Sequence, residues 1–184
     1  MLQVNFFPFP TIVTERLVLR EVTLNDANEI LFLRSDPKVL SYLDKVPAKS
    51  IDEVVDWINL VKKSKEENDG ILWGIALKDD EKIIGTICYW RMEKTHYRAE
   101  IGYTLHPLQQ GKGIMDEAMK AVLQYGFETM KLHSVEANVN PANNASIKLL
   151  ERNGFIREAY FRENYYYNGH FLDSAIYSLL TTSQ

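Results

Sequence analysis

A glycine-containing loop between a predicted strand and a predicted helix is the part of this sequence best suited to bind a ligand. Residues 100–119 read EIGYTLHPLQQGKGIMDEAM, with Gly111 and Gly113 directly before an apolar helix pattern and Lys112 between them. Glycines let backbone N–H groups approach a ligand closely, and the free N–H groups of a helix N-terminus attract anions. The loop is therefore suited to a pyrophosphate, although a plain strand-to-helix turn would show the same spacing. Neither G-x-x-x-x-G-K-[ST] nor G-x-G-x-x-G is present.

The segments around this loop must position it, and their hydropathy patterns predict a mixed sheet flanked by helices. Strand-type patterns occur in residues 16–22, 72–78, 82–90, 98–106, 133–140, 155–161 and 171–180. Helices are predicted after Thr23 as N-cap, after a capping box of Ser50 and Glu53, from about Ile114 to Met130, and within residues 141–155 up to Gly154. Because the strands come in blocks and do not alternate strictly with helices, a mixed α/β fold is favoured over a doubly wound dinucleotide fold.

The composition limits the class of protein. The chain has 184 residues, 46% hydrophobic and 25% charged, which predicts one folded domain over residues 1–184. Its net charge of −4 argues against nucleic acid as the main partner. No apolar run approaches the roughly 18 residues of a membrane helix, and the first ten residues lack the features of a signal peptide. We therefore expect a cytoplasmic protein with no membrane partner. The four histidines lack metal-ligand spacing, and the single cysteine cannot form a Cys-rich site, so no metal is predicted.

The loop and its neighbours resemble the GNAT superfamily of acetyl-CoA-dependent N-acetyltransferases, and within it the branch that acetylates the N-terminal serine or alanine of ribosomal proteins. The family loop Q/R-x-x-G-x-G/A is similar to residues 110–115, with a departure at Met115, which must point into the core to be tolerated. Further matching segments follow in the family's order: TERLVLREV at 14–22, AEIGYTLHP at 99–107, NPANNASIKLLERNGF at 140–155, and Asn168, Gly169 and Asp173.

The resemblance implies a fold and a cosubstrate. The fold is a mixed, mostly antiparallel sheet of about seven strands flanked by about four helices, with a splay between the fourth and fifth of the predicted strands, at residues 98–106 and 133–140. The cosubstrate is acetyl-CoA, the acetyl donor, with no metal. The residues that the resemblance assigns to its binding are Tyr103 and Leu105 through their backbone groups, Gln110, Gly111, Lys112, Gly113, Ile114 and Met115 of the loop, Asn138, and Asn143.

The chemistry of acetyl transfer requires that the amine loses a proton. In the resembled family the amine attacks the thioester directly, so Cys88 is not needed as a nucleophile. Glu100 is the candidate general base, because it lies on the strand that leads to the loop and matches a glutamate that this branch places there. Partial burial would raise its pKa toward the working range. The alternative is a surface glutamate paired with Arg98 or Lys94.

Ser146 is the candidate for stabilising the thiolate that departs. Many members of the superfamily use a tyrosine seven residues after the asparagine, but Leu150 occupies that position here. Ser146 stands three residues after Asn143, as a serine does in this branch, and its hydroxyl could donate a hydrogen bond to sulfur. The alternative is a serine that satisfies the backbone of its own helical turn. Asn143 and Asn144 both also suit the N-cap of that helix.

The acceptor is the least defined part of the prediction. The branch suggests the N-terminal α-amine of a protein, such as a ribosomal protein, and also a homodimer. The alternatives are a small-molecule amine (an amino acid, polyamine or antibiotic), a lysine side chain, and a non-catalytic acetyl-CoA-binding module. Retention of both Glu100 and Ser146 favours catalysis. Four acidic residues in the predicted loops suit a cationic amine or basic peptide: Asp36, Asp44, Glu93 and Glu163.

Overall fold

The computed structural model describes residues 1–181, which form one eight-stranded sheet with five α-helices. The strands are β1 (Ile12–Val13), β2 (Leu17–Glu21), β3 (Ile71–Leu77), β4 (Asp80–Glu93), β5 (Arg98–Leu105), β6 (Ser134–Val139), β7 (Ile156–Tyr167) and β8 (His170–Leu180). The helices are α1 (Ala27–Ser35), α2 (Pro37–Leu40), α3 (Ile51–Glu66), α4 (Ile114–Gln124) and α5 (Asn144–Arg152). The predicted mixed α/β fold is confirmed. The two elements beyond the predicted set, β1 and α2, are too short to show a hydropathy period.

The sheet contains one parallel contact, and that contact ends early. The strand order is β1-β2-β3-β4-β5-β6-β8-β7, and among the described strands only β5 and β6 run parallel. Their pairing extends from Arg98 opposite Ser134 to Glu100 opposite Glu136. Beyond Glu100, β5 pairs only with β4, and β6 continues beside β8. The predicted splay is therefore present, and it begins at Glu100.

Alternation along the strands separates two apolar clusters on opposite faces of the sheet. On one face, Trp73 of β3 packs in a large cluster with residues of α4 and α5. On the other face, Leu72 packs against a smaller cluster built from α1 and α3. Helix α3 begins where expected, because the Ser50 side chain accepts a hydrogen bond from the Glu53 N–H at 3.3 Å. Within residues 1–181, no helix combines the length and the apolar character needed to cross a bilayer.

Helix α4 carries the predicted apolar stripe into the larger cluster and then changes geometry. The helix predicted up to about Met130 is regular through Gln124 and continues as a π-helical turn over Tyr125–Thr129. The Tyr89 hydroxyl donates to the Val122 carbonyl at 3.0 Å just before this turn. A Cβ at Gly126 would lie 2.4 Å from the Tyr89 oxygen, so only glycine fits there.

Candidate active site

A cavity of about 690 Å³ opens at the splay between β5 and β6. Its walls include residues 100–104 of β5, residues 137–140 at the end of β6, and the loop at 42–46. Five of the predicted site residues line this one cavity: Glu100, Tyr103, Asn138, Asn143 and Ser146. Leu105 and the loop at 110–115 lie outside its lining. The structure thus brings the two candidate catalytic side chains together and leaves the predicted phosphate loop apart from them.

The cavity passes through the sheet. Glu100 and Tyr103 are three residues apart on one strand, so their side chains point to opposite faces. Tyr103 lies opposite Ile87 and packs against the cluster of α4 and α5. Glu100 lies on the same face as Leu72, which packs against α1 and α3. Because both side chains line the same cavity, the gap between β5 and β6 connects the two faces.

Glu100 is buried and forms an ion pair with Arg91. The residue is 8% exposed, and its Oε2 atom accepts a hydrogen bond from Arg91 Nη1 at 3.1 Å. The expected alternative, an ion pair with Arg98 or Lys94, is wrong: Arg98 pairs with Glu93 and Lys94 pairs with Asp69. The β4 register shifts between Trp90 and Glu93, and this irregularity brings Arg91 beside Glu100.

Burial raises the pKa of Glu100 above the ordinary value of 4.5. The positive charge and hydrogen bond of Arg91 oppose this effect and hold the carboxyl closer to its charged form, whereas Glu136 adds to the rise. The Arg91 side chain is 64% exposed, so solvent screens much of its influence. A carboxylate with a raised pKa accepts a proton more readily than an ordinary one, which suits a general base.

A second polar pair lies across the gap from Glu100. The Tyr103 hydroxyl and the Ser146 hydroxyl are 2.6 Å apart, and either can donate the hydrogen bond. Burial raises the pKa of Tyr103 to about 12, although the hydrogen bond from Ser146 opposes the rise. Tyr103 therefore keeps its proton at neutral pH and can donate it in a hydrogen bond. The sequence assigned only backbone contacts to Tyr103, and alternation along β5 would have placed its side chain on the face opposite Glu100.

The start of α5 fixes the position of Ser146. The Asn143 side chain is the N-cap, and its Oδ1 atom accepts a hydrogen bond from the Ser146 N–H at 3.1 Å. Asn144 is the first helical residue and does not take the N-cap position. Leu150 is fully buried one turn further on, where it packs in the core and cannot supply a proton. The N-cap contact leaves the Ser146 hydroxyl directed to Tyr103.

The glycine loop has the backbone shape that an anion site needs. Gly111 and Gly113 have φ angles of +74° and +75°, and a Cβ built on Gly111 would meet no atom within 4 Å. Gly113 is the N-cap of α4, so the N–H groups of the first turn after it have no acceptor within the helix. Met115 is buried in the core, which is the orientation that its departure from the family pattern requires. Lys112 lies on the loop surface and donates to Gln109 at 3.1 Å.

A cluster of hydrogen bonds that the sequence pattern did not predict joins the start of α4 to the segment before β2. Glu117 in the first turn of α4 accepts hydrogen bonds from the Thr14 hydroxyl at 2.6 Å and from the Arg16 backbone and Nε at 2.8 Å and 2.6 Å. Arg16 also donates to the Lys112 carbonyl at 2.9 Å. Burial alone would raise the pKa of Glu117, but these hydrogen bonds outweigh it and lower the pKa. The contact anchors the loop to the segment just before β2.

Three further residues from the sequence analysis are Leu105, Asn138 and Cys88. Leu105 pairs with Gly85 at the end of β5 and packs against the larger cluster. Asn138 faces the cavity from β6. Burial raises the pKa of Cys88 to about 11, so the thiol is protonated at neutral pH and is not prepared for nucleophilic attack. Within residues 1–181, no three His, Cys, Asp or Glu side chains are grouped in a way that could hold a metal ion.

A splayed sheet with a cavity through it, together with a glycine loop at a helix start, is what the resemblance to acyltransferases that use a coenzyme A thioester implies. Residues 16–156 match the family described as Acetyltransferase (GNAT) domain. The chain is 35% identical over 172 residues to the uncharacterized N-acetyltransferase YoaA of Bacillus subtilis, covering 94% of this chain and 97% of that protein. The chain therefore belongs to the GNAT acetyltransferase family and is an acetyl-CoA-dependent N-acetyltransferase.

Two further relatives differ in their acceptors. The ribosomal protein uS5-alanine N-acetyltransferase of Escherichia coli is 27% identical over 179 residues, with 95% of this chain and 92% of that protein covered. The crystal structure of spermidine N-acetyltransferase from Vibrio cholerae, in complex with CoA and spermine, is 25% identical with a TM-score of 0.81, and 91% of this chain and 96% of that chain are covered. The same fold thus serves relatives with a protein acceptor and with a polyamine acceptor.

Proposed function

We propose that this enzyme acetylates the N-terminal α-amine of a protein, such as a ribosomal protein. The observation that carries this proposal is the position of Glu100, which lies buried in a cavity that reaches it from the α1 and α3 face of the sheet. A chain terminus can enter such a cavity and bring its amine to the carboxylate. The Escherichia coli relative, an alanine N-acetyltransferase of ribosomal protein uS5, matches nearly the whole chain and supports a protein as the acceptor. We also propose that the enzyme acts in the cytoplasm; the homodimer stays a prediction.

Glu100 is the proposed general base. Its Oε2 atom is held by Arg91 at 3.1 Å, which leaves Oε1 available to the amine, directly or through one water molecule. The raised pKa of the buried carboxyl favours proton uptake. Glu100 takes the proton from the amine as the nitrogen bonds to the acetyl carbon, and the carbon–sulfur bond breaks with its electron pair leaving on sulfur.

Ser146 and Tyr103 are proposed to stabilise that sulfur from the opposite face. Both hydroxyls line the cavity on the side of α5 and lie 2.6 Å from each other. Ser146 donates a hydrogen bond to the thiolate while Tyr103 donates to Ser146, which strengthens the serine as a donor. Tyr103 thus positions Ser146 and supplies a tyrosine hydroxyl, which Leu150 at the usual tyrosine position lacks. The proton that Glu100 received returns to solvent, and the thiolate is protonated to CoA.

The loop at 110–115 and the strand end before it are proposed to hold the donor. The positive φ of Gly111 and Gly113 and the open space beside Gly111 fit a pyrophosphate against backbone N–H groups. Gln110, Lys112, Ile114 and Met115 complete this loop, as the resemblance implies. The backbone groups of Tyr103 and Leu105, together with Asn138 and Asn143, are proposed to hold the pantetheine arm along the gap.

A thiol-release assay with 5,5′-dithiobis(2-nitrobenzoic acid) tests the proposal. Wild-type enzyme and acetyl-CoA are incubated with unblocked peptides, with the same peptides carrying a blocked N-terminus and one lysine, with free amino acids, and with spermidine. We expect thiol release with the unblocked peptides to exceed that with the other three groups. Faster release with spermidine or with the blocked lysine peptides would replace the proposed acceptor. CoA binding without release for any amine would make the protein a binding module.

A further inference from the structure

The acidic residues that line the cavity all have partners within the described part of the chain, whereas two of the basic residues do not. Each of the four acidic residues already has a partner within the chain: Asp44 accepts from the Tyr165 hydroxyl, Glu67 pairs with Lys63, Asp69 pairs with Lys94, and Glu100 pairs with Arg91. Of the four cationic residues in the lining, Lys63 and Arg91 belong to these pairs. Arg34 and Lys45 make no ion pair or side-chain hydrogen bond with any of the residues 1–181. The cavity thus offers two cations without an ion-pair partner among residues 1–181, and its one carboxylate outside an ion pair, Asp44, already accepts a hydrogen bond from Tyr165.

Arg34 is the better placed of these two cations for recognising a ligand. It lies in the last turn of α1, and its guanidinium carbon sits 4.5 Å from the centre of the Trp57 ring of α3. Its Nε atom is buried with no hydrogen-bond partner. Burial lowers the pKa of Arg34, and no carboxylate opposes that effect. A buried N–H without a hydrogen-bond partner is costly, and a flat guanidinium held against an aromatic ring is shaped to bind a carboxylate with two hydrogen bonds.

The position of Arg34 in the fold assigns it to the acceptor and not to the acetyl donor. Helices α1 and α3 cover the face of the sheet on which Glu100 lies, whereas α4, α5 and the glycine loop lie on the opposite face. The phosphates of CoA are expected at the glycine loop. Lys45 is also close enough to Glu100 to favour its charged form. Both cations therefore line the cavity that contains the base.

We propose that Arg34, held against Trp57 and supported by Lys45, forms a carboxylate subsite, so that the preferred acceptor is an amine that also carries a carboxylate. This inference rests on the proposed function, because it describes the substrate of the same cavity. The carboxylate can come from an acidic side chain near a protein N-terminus or from the α-carboxylate of a free amino acid. A polyamine lacks this group and would meet Arg34 and Lys45 as like charges. Of the four acidic residues that suggested a cationic acceptor, only Asp44 lines the cavity, where it accepts a hydrogen bond from Tyr165. Asp36, Glu93 and Glu163 lie outside the lining.

Matched acceptors test the subsite within one enzyme. Peptide amides with a free N-terminal alanine carry Asp, Asn or Lys at position 2, 3 or 4, and alanine is compared with alaninamide as the small-molecule pair. We expect kcat/KM for the best Asp peptide to exceed that for its Asn counterpart by about tenfold or more, as a charge-assisted contact supplies. A preference for alanine over alaninamide, with no preference among the peptides, would identify the free amino acid as the source. Equal rates within both pairs would overturn the subsite.

Variants at Arg34 connect the preference to this side chain. Arg34→Gln should abolish the Asp-over-Asn ratio, Arg34→Lys should retain part of the ratio, and Arg34→Glu should favour the Lys peptide. Arg157→Gln, at an exposed arginine of β7 outside the cavity, is the matched control and should keep the wild-type ratio. An unchanged ratio in Arg34→Gln and Arg34→Glu would mean that Arg34 only packs on Trp57.

Binding measurements separate failure of the subsite from failure of the proposed function. Calorimetry with CoA-loaded enzyme and the same Asp and Asn peptides requires no turnover. If no amine is acetylated but the Asp peptide still binds about tenfold more tightly in wild type than in Arg34→Gln, the subsite stands and the proposed function fails. If peptides are acetylated with no effect of charge in either assay, the proposed function stands and the subsite fails.

Discussion

Replacing Glu100 by glutamine removes the proposed base while keeping the size of the side chain and its ability to accept a hydrogen bond from Arg91. An α-amine with a pKa of about 7.7–8.0 is only about one-tenth neutral at pH 7. The variant can use only that fraction, and it also lacks help in removing the proton during attack. We expect kcat/KM at pH 7 to fall by about 10²-fold, the lower end of the range for a lost general base.

The dependence of this defect on pH distinguishes a base from a side chain that only shapes the strand. At pH 9.5 nearly all of the α-amine is neutral, so the defect should shrink by about tenfold. In wild type, kcat/KM should rise with pH through the pKa of Glu100, which burial places above 4.5, and the variant should lack this limb. The assay is initial-rate thiol release with an unblocked peptide across pH 5–9.5, with CoA affinity measured in parallel. Equal activity at pH 7, or an equal defect at pH 7 and pH 9.5, would refute the reasoning.

Thermal unfolding supplies the folding control for this variant. A carboxyl whose folded pKa is raised contributes stability below its ordinary pKa of 4.5 and loses that contribution as pH rises through the raised value. Wild type therefore carries a penalty for the charged Glu100 at neutral pH, and Glu100→Gln should have an equal or higher Tm there, with the difference disappearing in acid. Glu136→Gln is the matched variant, since Glu136 lies directly opposite Glu100 but outside the cavity lining, and it should keep nearly all activity.

Three further substitutions test other parts of the account. Gly113→Asp places a negative charge at the proposed phosphate loop and should weaken CoA binding in calorimetry by at least about tenfold, whereas Gly169→Asp, at another positive-φ glycine with open surroundings, should not. Tyr103→Phe should lower kcat by about 2–12-fold with CoA affinity unchanged, the worth of one neutral hydrogen bond; an unchanged kcat with rate-limiting chemistry would remove Tyr103 from the mechanism. Asp26→Asn should lower the free energy of unfolding by about 3 kcal/mol in urea titrations, because it breaks a largely buried pair with Arg20 at 2.7 Å; a loss under about 0.5 kcal/mol would mean that solvent screens the pair.

The sequence was sufficient for the elements that carry a regular pattern. Leu17 and Leu19 alternate with polar residues, and the structure buries both completely in β2. Ser50 caps α3 as its spacing to Glu53 indicates. The glycine loop is also local, because a strand, two glycines and a helix start follow each other directly along the chain. Each of these features depends on residues within a few positions of one another.

The contacts inside the cavity could not be predicted, because they depend on irregular pairing between distant strands. Arg91 reaches Glu100 only because the register of β4 and β5 shifts after Trp90, and Arg91 itself adopts a positive φ of 46°. A regular ladder would have favoured the expected partners on β5 or at the end of β4. The hydrogen bond between Tyr103 and Ser146 joins a strand to a helix 43 residues further on. No local pattern encodes a gap that connects two faces of a sheet.

The position of the acetyl group on a single peptide tests the central claim most directly. The peptide carries a free N-terminal alanine, an aspartate and one internal lysine, and it is incubated with acetyl-CoA and enzyme before fragment-ion mass spectrometry. We expect one added acetyl group on the α-amine in the wild-type reaction, and strongly reduced product with Glu100→Gln at pH 7. An acetyl group on the lysine side chain, or equal product from both enzymes, would contradict it.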